Sequence, residues 1–241
     1  DYTVQEATHD SFAGIDIALF AGGSISKEFA PSAVKAGAVV IDNSSAFRMD
    51  PEVPLIVPEV NPEAILKHKG IIANPNCSTI IMLMALKPIY DLARIKRIIV
   101  STYQAVSGAG KEGIDELTNQ VGEYLDGKEM TANILPSASA EKHYPIAFNL
   151  IPQIDVFCDN LYTKEEMKMV NETRKILDDY DMRITATTIR VPVYRSHSES
   201  VNIELEKDVS LEEIKKALAA FPGVIVQDDP AAQLYPMPLF T

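Results

Sequence analysis

The chain has 241 residues, 46% of them hydrophobic and 23% charged, enough to bury a substantial core as one or two globular domains. A formal net charge of −12 argues against nonspecific nucleic-acid binding, because polyanions are repelled. Two cysteines, Cys77 and Cys158, make no disulfide framework, and no apolar stretch is long enough to span a bilayer, so a reducing, cytosolic setting is expected.

The chain opens at Asp1, without methionine or a charged-then-apolar leader, and reads as a piece of a longer product. Short apolar runs predict strands at Ile15–Phe20, Ala38–Ile41, Leu55–Val57 and Ile71–Ala73, with a helix at Ser26–Ala36 between the first two. The order strand, helix, strand suggests part of a parallel sheet. A run with apolar residues on every face, Ile80–Ala93, predicts a buried helix. The β-branched stretch Arg97–Val106 predicts a strand, and Lys111–Leu125 a further helix. Thr131–Tyr144 is polar, small and aperiodic, and reads as loop. Thr163 with Glu166 forms a capping-box pattern opening a helix to about Asp178, and Ser210 with Glu213 opens another through Ala220. Between them lie two predicted strands, Ile184–Tyr194 and Val201–Leu205.

Cys77 lies in Asn74-Pro75-Asn76-Cys77-Ser78-Thr79, between an extended approach and the buried helix. The residue before a proline is biased to extended backbone, which places Cys77 at or near a helix N-terminus. Unpaired amides and the helix dipole there favour thiolate and a developing oxyanion. The flanking residues alone leave a small buried hydrophobe equally open.

Gly108-Ala109-Gly110-Lys111-Glu112-Gly113 satisfies the GxGxxG dinucleotide pattern, but the following helix leads into a loop and not into a second strand ending in an acid. It is a weak fingerprint, although its glycines allow close backbone approach to a ligand. Of the four histidines, none has metal-ligand spacing with another histidine or with a cysteine. His197 stands out within Arg190–Ser200, a segment that joins two predicted strands and carries two arginines. Arg190 falls inside an apolar run, where a charge needs a partner: a substrate carboxylate or a structural acid.

Three segments together resemble aspartate-β-semialdehyde dehydrogenases of the bacterial type: Asn74–Thr79, Ser101–Gly110 and Arg190–Glu199. The resemblance runs through nearly the whole chain, including Asp42–Arg48 and Asn149–Asp155. It implies an α/β fold: a partial Rossmann-type nucleotide-binding domain over residues 1–76, then an α/β catalytic and dimerisation domain of the glyceraldehyde-3-phosphate dehydrogenase-like type over 77–241. It implies NADPH-dependent reductive dephosphorylation of L-aspartyl-4-phosphate in the biosynthesis of lysine, diaminopimelate, threonine and methionine, by a cytoplasmic homodimer.

Carried over by position, Cys77 is the nucleophile that forms a thioester, His197 the general acid/base and Gln104 an orienting group. Arg190 clamps the substrate α-carboxylate and Glu165 pairs with its α-ammonium, while Arg48, Asn76 and Lys168 hold phosphate. The family's N-terminal glycine-rich loop and C-terminal segment lie outside this chain. What it retains for NADP is Gly22-Gly23-Ser24, Asn43-Ser44 and Ser107-Gly108-Ala109-Gly110; no metal is implied.

The residues alone also fit plainer roles. Glu165 and Lys168 fit an ordinary surface pair, Arg48 a neutraliser of Asp50 or Glu52, and Gln104 a solvated strand face. At family level the rivals are N-acetyl-glutamyl-phosphate reductase, a glyceraldehyde-3-phosphate dehydrogenase relative, and a noncatalytic dimerisation or interaction paralogue. The Asn76-Cys77-Ser78-Thr79 sequence counts against the first two.

Overall fold

The computed structural model describes residues 3–138 and 140–241. The chain forms two compact units, Asp1–Leu83 with Asn171–Tyr180 and Met84–Val170 with Asp181–Thr241. Asn76, the expected end of the first domain, lies inside the first unit.

In the first unit, β1 (Ile17–Phe20), β2 (Val39–Asp42) and β3 (Ile71–Ala73) pair in parallel in that order. Helix α1 (Ser26–Lys35) makes the crossover from β1 to β2. It presents Ala30 and Ala33 to Ala18, Ala38 and Val40, with Phe12 and Phe20 packed around them. Alanines at the contact let helix and sheet approach closely, and the partly buried aromatic rings close its margin. The predicted strand at Leu55–Val57 is only a single bridge, Leu55 to Ala73. Pro54 and Pro58 bracket it and remove the donors that a ladder needs. Helix α2 (Cys77–Leu92) follows β3 after a three-residue link.

The second unit is built on a mixed sheet of order β5-β4-β6, with β4 at Ile95–Gln104, β5 at Arg183–Arg190 and β6 at Ser198–Leu205. β4 pairs parallel with β5 and antiparallel with β6. Its alternation buries Ile98, Val100, Thr102 and Gln104 on one face. The register sets Gln104 opposite Arg190 and Tyr103 opposite Ser198. The β5–β6 connection therefore passes the carboxyl end of β4. The predicted strand from Ile184 ends at Arg190, because Pro192 follows.

Helices α3 (Gly110–Leu125), α4 (Lys164–Leu177) and α5 (Leu211–Ala220) complete the order. Both predicted capping boxes form. The Thr163 N–H donates to Glu166 Oε2 at 2.7 Å while the Glu166 N–H donates to Thr163 Oγ1 at 3.2 Å. Ser210 and Glu213 do the same for α5. The long loop after α3 is tied to that helix by side chains at i, i+4 and i+7. Glu116 accepts the N–H groups of Asn133, Ile134 and Leu135, Gln120 those of Ile146 and Ala147, and Glu123 that of Thr131. Leu117, Leu135, Ile146 and Ile151 form the core beneath it. Among the described residues no helix is long and apolar enough to cross a membrane.

Candidate active site

In the first unit, Asn76 is the N-cap of α2. Its Oδ1 accepts the N–H groups of Ser78 at 3.0 Å and Thr79 at 3.3 Å, which satisfies two of the amides a helix leaves unpaired at its start. Cys77 is then the first residue of a sixteen-residue helix and is exposed. That end of the helix favours negative charge, so a thiolate or an oxyanion is stabilised there.

Arg48 is buried at the end of the Asp42–Arg48 loop, and its guanidinium is held on three sides. Nε donates to the Asn74 carbonyl at 2.9 Å, Nη1 to Glu172 Oε1 at 3.1 Å and Nη2 to the Asn43 carbonyl at 3.2 Å. Its acidic partner is thus Glu172. Glu52 pairs with Lys69 instead, and Asp50 Oδ1 accepts the Glu52 N–H. The loop itself is braced by Asp42, whose carboxylate accepts the Ser44 hydroxyl at 2.7 Å and the Ser44 N–H at 3.3 Å.

Gly22–Ser24 follows β1 and Asn43–Ser44 follows β2. The Asn43 N–H donates to the Phe20 carbonyl at 2.7 Å, so the two segments expected to meet the cofactor lie side by side at the carboxyl ends of neighbouring parallel strands. Gly23 has φ +65°, and a Cβ at Gly22 would fall 2.9 Å from the Ile25 side chain. This turn needs glycine for conformation at one position and for space at the other.

In the second unit, five of the predicted side chains gather around the carboxyl end of β4. Gln104 is buried. Its Oε1 accepts the Thr102 hydroxyl at 3.0 Å and its Nε2 donates to Glu165 Oε1 at 3.1 Å. Glu165, itself 5% exposed, receives Lys168 Nζ at 3.1 Å on its other oxygen, and Lys168 also reaches Asp155 at 3.0 Å. Glu165 and half-buried Lys168 are therefore part of a polar chain that runs from the interior outward and not a surface pair, and Gln104 is not on a solvated face. Burial works against the charge on Lys168, but Glu165 and Asp155 outweigh it and raise its pKa. Burial likewise opposes ionisation of Asp155, and Lys168 with the Val156 amide overcomes it and lowers that pKa.

Ala105, the next residue after β4, orients two more groups through its backbone. Its carbonyl accepts Arg190 Nη1 at 2.7 Å, and its N–H donates to His197 Nδ1 at 2.9 Å. Burial first, and the Arg190 charge second, lower the His197 pKa against an opposing pull from Glu165. The ring is held neutral at pH 7, with its proton on Nε2.

Two of the three GxGxxG glycines have a packing explanation, and Gly110, at φ +76°, has a conformational one. A Cβ on Gly108 would fall 2.8 Å from Arg190 Nη1 and 3.4 Å from His197 Cε1, and one on Gly113 would fall 2.7 Å from the Val106 carbonyl oxygen. Gly108 leaves room for the arginine and the imidazole, and Gly113 for the turn that opens α3.

Three contributors escaped sequence reading. Asp155 stands alone in the apolar stretch Ile154-Asp155-Val156-Phe157, Glu172 has the polar neighbours of a solvated helix face, and Ala105 acts only through its peptide groups. The Ile154-Asp155 pair, in a segment with a positive φ at Asp155 (68°), was the nearest thing to a local signal.

The family described as semialdehyde dehydrogenase, NAD binding domain, matches residues 1–68, and its companion, semialdehyde dehydrogenase, dimerisation domain, matches residues 86–240. Aspartate-semialdehyde dehydrogenase of Bacillus subtilis is 56% identical over 99% of this chain and 69% of that protein. The same enzyme of Aquifex aeolicus is 58% identical over 99% of this chain and 70% of its own length. Among solved structures, aspartate semialdehyde dehydrogenase II of Vibrio cholerae, complexed with ASA, superposes with a TM-score of 0.84 at 50% identity. It covers 88% of this chain, and this chain spans 62% of that one. An exposed cysteine at a capped helix start, a Gln–Glu–Lys polar chain and an arginine–histidine pair held by the backbone of one residue thus occur in a sequence that both family domains match. The chain belongs to the aspartate-semialdehyde dehydrogenase family.

Proposed function

We propose that this chain carries catalytic machinery for the NADPH-dependent reductive dephosphorylation of L-aspartyl-4-phosphate to L-aspartate-4-semialdehyde, releasing inorganic phosphate. The observation that carries the reading is Cys77 as the exposed first residue of a helix capped by Asn76. The Cys77 thiolate attacks the acyl carbon, the bond from that carbon to the phosphate oxygen breaks, and phosphate leaves with the electron pair. The acyl group stays on Sγ as a thioester. Addition of hydride to the thioester carbon gives a tetrahedral oxyanion, whose collapse restores the carbonyl and expels the Cys77 thiolate.

Arg190 is the fork for the substrate α-carboxylate, and its anchoring to the Ala105 carbonyl supports that role by limiting the freedom lost on binding. Glu165 pairs with the α-ammonium, and Gln104, fixed between Thr102 and Glu165, orients the reacting groups. Arg48, Asn76 and Lys168 hold the phosphate. His197 is the acid/base, with the Nε2 proton available to the oxyanion. Bound NADPH would supply the hydride in this direction, and NADP+ would accept it in the reverse one. The glycine turn at Gly22–Ser24 with Asn43 and Ser44 fits such a group, being small and polar at strand carboxyl ends, and Ser107–Gly110 completes the set. The match to the dimerisation domain supports a homodimer, and two thiols without a disulfide support a cytoplasmic location.

The test is brief treatment with limiting thiol alkylator, with and without aspartate semialdehyde plus phosphate, the label being located by peptide mapping. Selective labelling of Cys77 over Cys158, blocked by substrate, is the expected result. Equal or unprotected labelling would reject the reading. Cys77→Ser is expected to abolish phosphate-dependent NADP reduction with the fold intact; activity within about tenfold of the parent removes Cys77 as nucleophile.

A further inference from the structure

Glu172 lies among the residues of α4 that belong to the first unit, with its side chain 1% exposed. Each of its two oxygens accepts a hydrogen bond. Oε1 accepts Arg48 Nη1 at 3.1 Å, and Oε2 accepts the backbone N–H of Asn76 at 2.6 Å. One turn later, Lys175 Nζ donates to the carbonyls of Arg48 at 2.7 Å, Asp50 at 2.7 Å and Val53 at 2.8 Å. The helix therefore grips Arg48 twice, by its guanidinium and by its backbone. With Nε on Asn74 and Nη2 on Asn43, three of the five guanidinium N–H groups are occupied and one remains on each terminal nitrogen.

We infer that Glu172 is a positioning residue for the phosphate, fixing Arg48 and the cap of the Cys77 helix against one carboxylate. The inference rests on the proposed function, in which Arg48 and Asn76 hold phosphate. A buried ion pair that served packing alone would be weak design, since well-packed apolar side chains fill such a space at least as stably. Packing also gives no reason for the second oxygen to meet the one backbone N–H that belongs to the N-cap of α2. A carboxylate that accepts from both leaves the guanidinium fork and the start of the helix with fixed spacing, which a tetrahedral anion recognised by several donors requires. Arg48 also neutralises Glu172, so the carboxylate adds little repulsion against the anion it helps to position.

The experiment uses the full chain and two variants, Glu172→Gln and Glu172→Asp. The alkylation rate of Cys77 is measured by peptide mapping against a titration of inorganic phosphate, and separately against aspartate semialdehyde alone; circular dichroism reports the fold. The Gln side chain has one acceptor oxygen for two donors, and Asp is one methylene too short to span them. In either variant the phosphate concentration for half-protection is expected to rise by roughly tenfold or more, as for loss of a charge-assisted hydrogen bond at a positioning group. Half-protection by semialdehyde alone should change by less than about twofold, because its contacts are separate. Equal loss of both, or no change in phosphate protection in a folded variant, overturns the inference and leaves the proposed function standing. If neither compound protects Cys77 in the parent chain, the proposed function fails and the inference falls with it. Should the Gln variant unfold, the Asp variant, which keeps the charge, gives the same decision.

Discussion

The backbone N–H of Ala105 donates to Nδ1 of His197 at 2.9 Å, and this one bond fixes the chemistry the ring can offer. A nitrogen that accepts a peptide N–H cannot also hold a proton without breaking the bond. The neutral ring therefore carries its proton on Nε2, and forming the imidazolium costs the Ala105 contact in addition to the burial and the Arg190 repulsion that lower its pKa. Nitrogen-15 spectra of histidine-labelled protein should show the Nε2–H tautomer at pH 7, with a titration midpoint below 6.5. An imidazolium at pH 7 would contradict it. The folded-state pKa is depressed, so the stability linked to this group is present above 6.5 and is lost as pH falls from there through the folded value. His197→Ala should lower kcat by roughly 10²–10⁴-fold, the usual worth of a positioned acid/base.

Gly108 and Arg190 give a prediction that separates crowding from chemistry. In Gly108→Ala the new Cβ would lie 2.8 Å from Arg190 Nη1, and the arginine end is the part able to move. The expected outcome is a KM for aspartate semialdehyde raised about tenfold, with the melting temperature nearly unchanged, since one misplaced charge-assisted contact is worth that much. Arg190→Lys should act in the same direction by losing the two-point fork. Steady-state kinetics showing an unchanged KM in both variants would remove Arg190 from substrate binding.

Much of this was legible in the sequence, for local reasons. Thr163 with Glu166 and Ser210 with Glu213 announce their helices because capping is a contact over three residues, and Asn76-Cys77 reads as a helix start because Pro75 constrains its approach. The β5–β6 segment placed Arg190 and His197 together for the same reason. What the sequence hid depends on distance along the chain. Glu172 meets Arg48 across 124 positions, and beside Arg174 and Lys175 it has the pattern of a solvated helix face. Lys175 likewise looks like a last-turn cation, whereas it caps a remote loop. The false strand at Leu55–Val57 has the opposite cause. Its apolar, β-branched composition is that of a strand, and the flanking prolines decide against it.

Glu116 shows how far an ordered loop can depend on one side chain. Its buried carboxylate accepts three consecutive backbone N–H groups, at 2.7 Å from Asn133, 2.8 Å from Ile134 and 3.2 Å from Leu135. Glu116→Ala leaves those amides without their acceptor, at a cost of about 2–4 kcal/mol from unmet buried donors. Denaturant unfolding should register that loss, and limited proteolysis should cut within 131–147 before the rest of the second unit. Equal protection of that loop in parent and variant would show that Gln120 and Glu123 suffice.

Glu199 sits opposite Thr102 in the β4–β6 register, with both carboxylate oxygens buried and without a hydrogen-bond partner among the described residues. Loss of solvation, with no compensating cation, pushes its pKa from 4.5 up to about 8. It is therefore a neutral acid at pH 7, two positions along the chain from His197. The sign of the linkage follows. Below 4.5 both folded and unfolded chains hold the proton and the group adds no pH dependence. Between 4.5 and about 8 only the folded chain holds it, so stability falls as pH rises, in total by a few kcal/mol, and the loss levels off above that range. Glu199→Gln keeps the shape and removes the titration. The variant should gain stability over the parent steadily from pH 5 to pH 8, a divergence that urea midpoints measured across that range would show. Parallel curves for parent and variant would mean that the carboxylate finds a partner or water in solution and titrates like an ordinary surface acid.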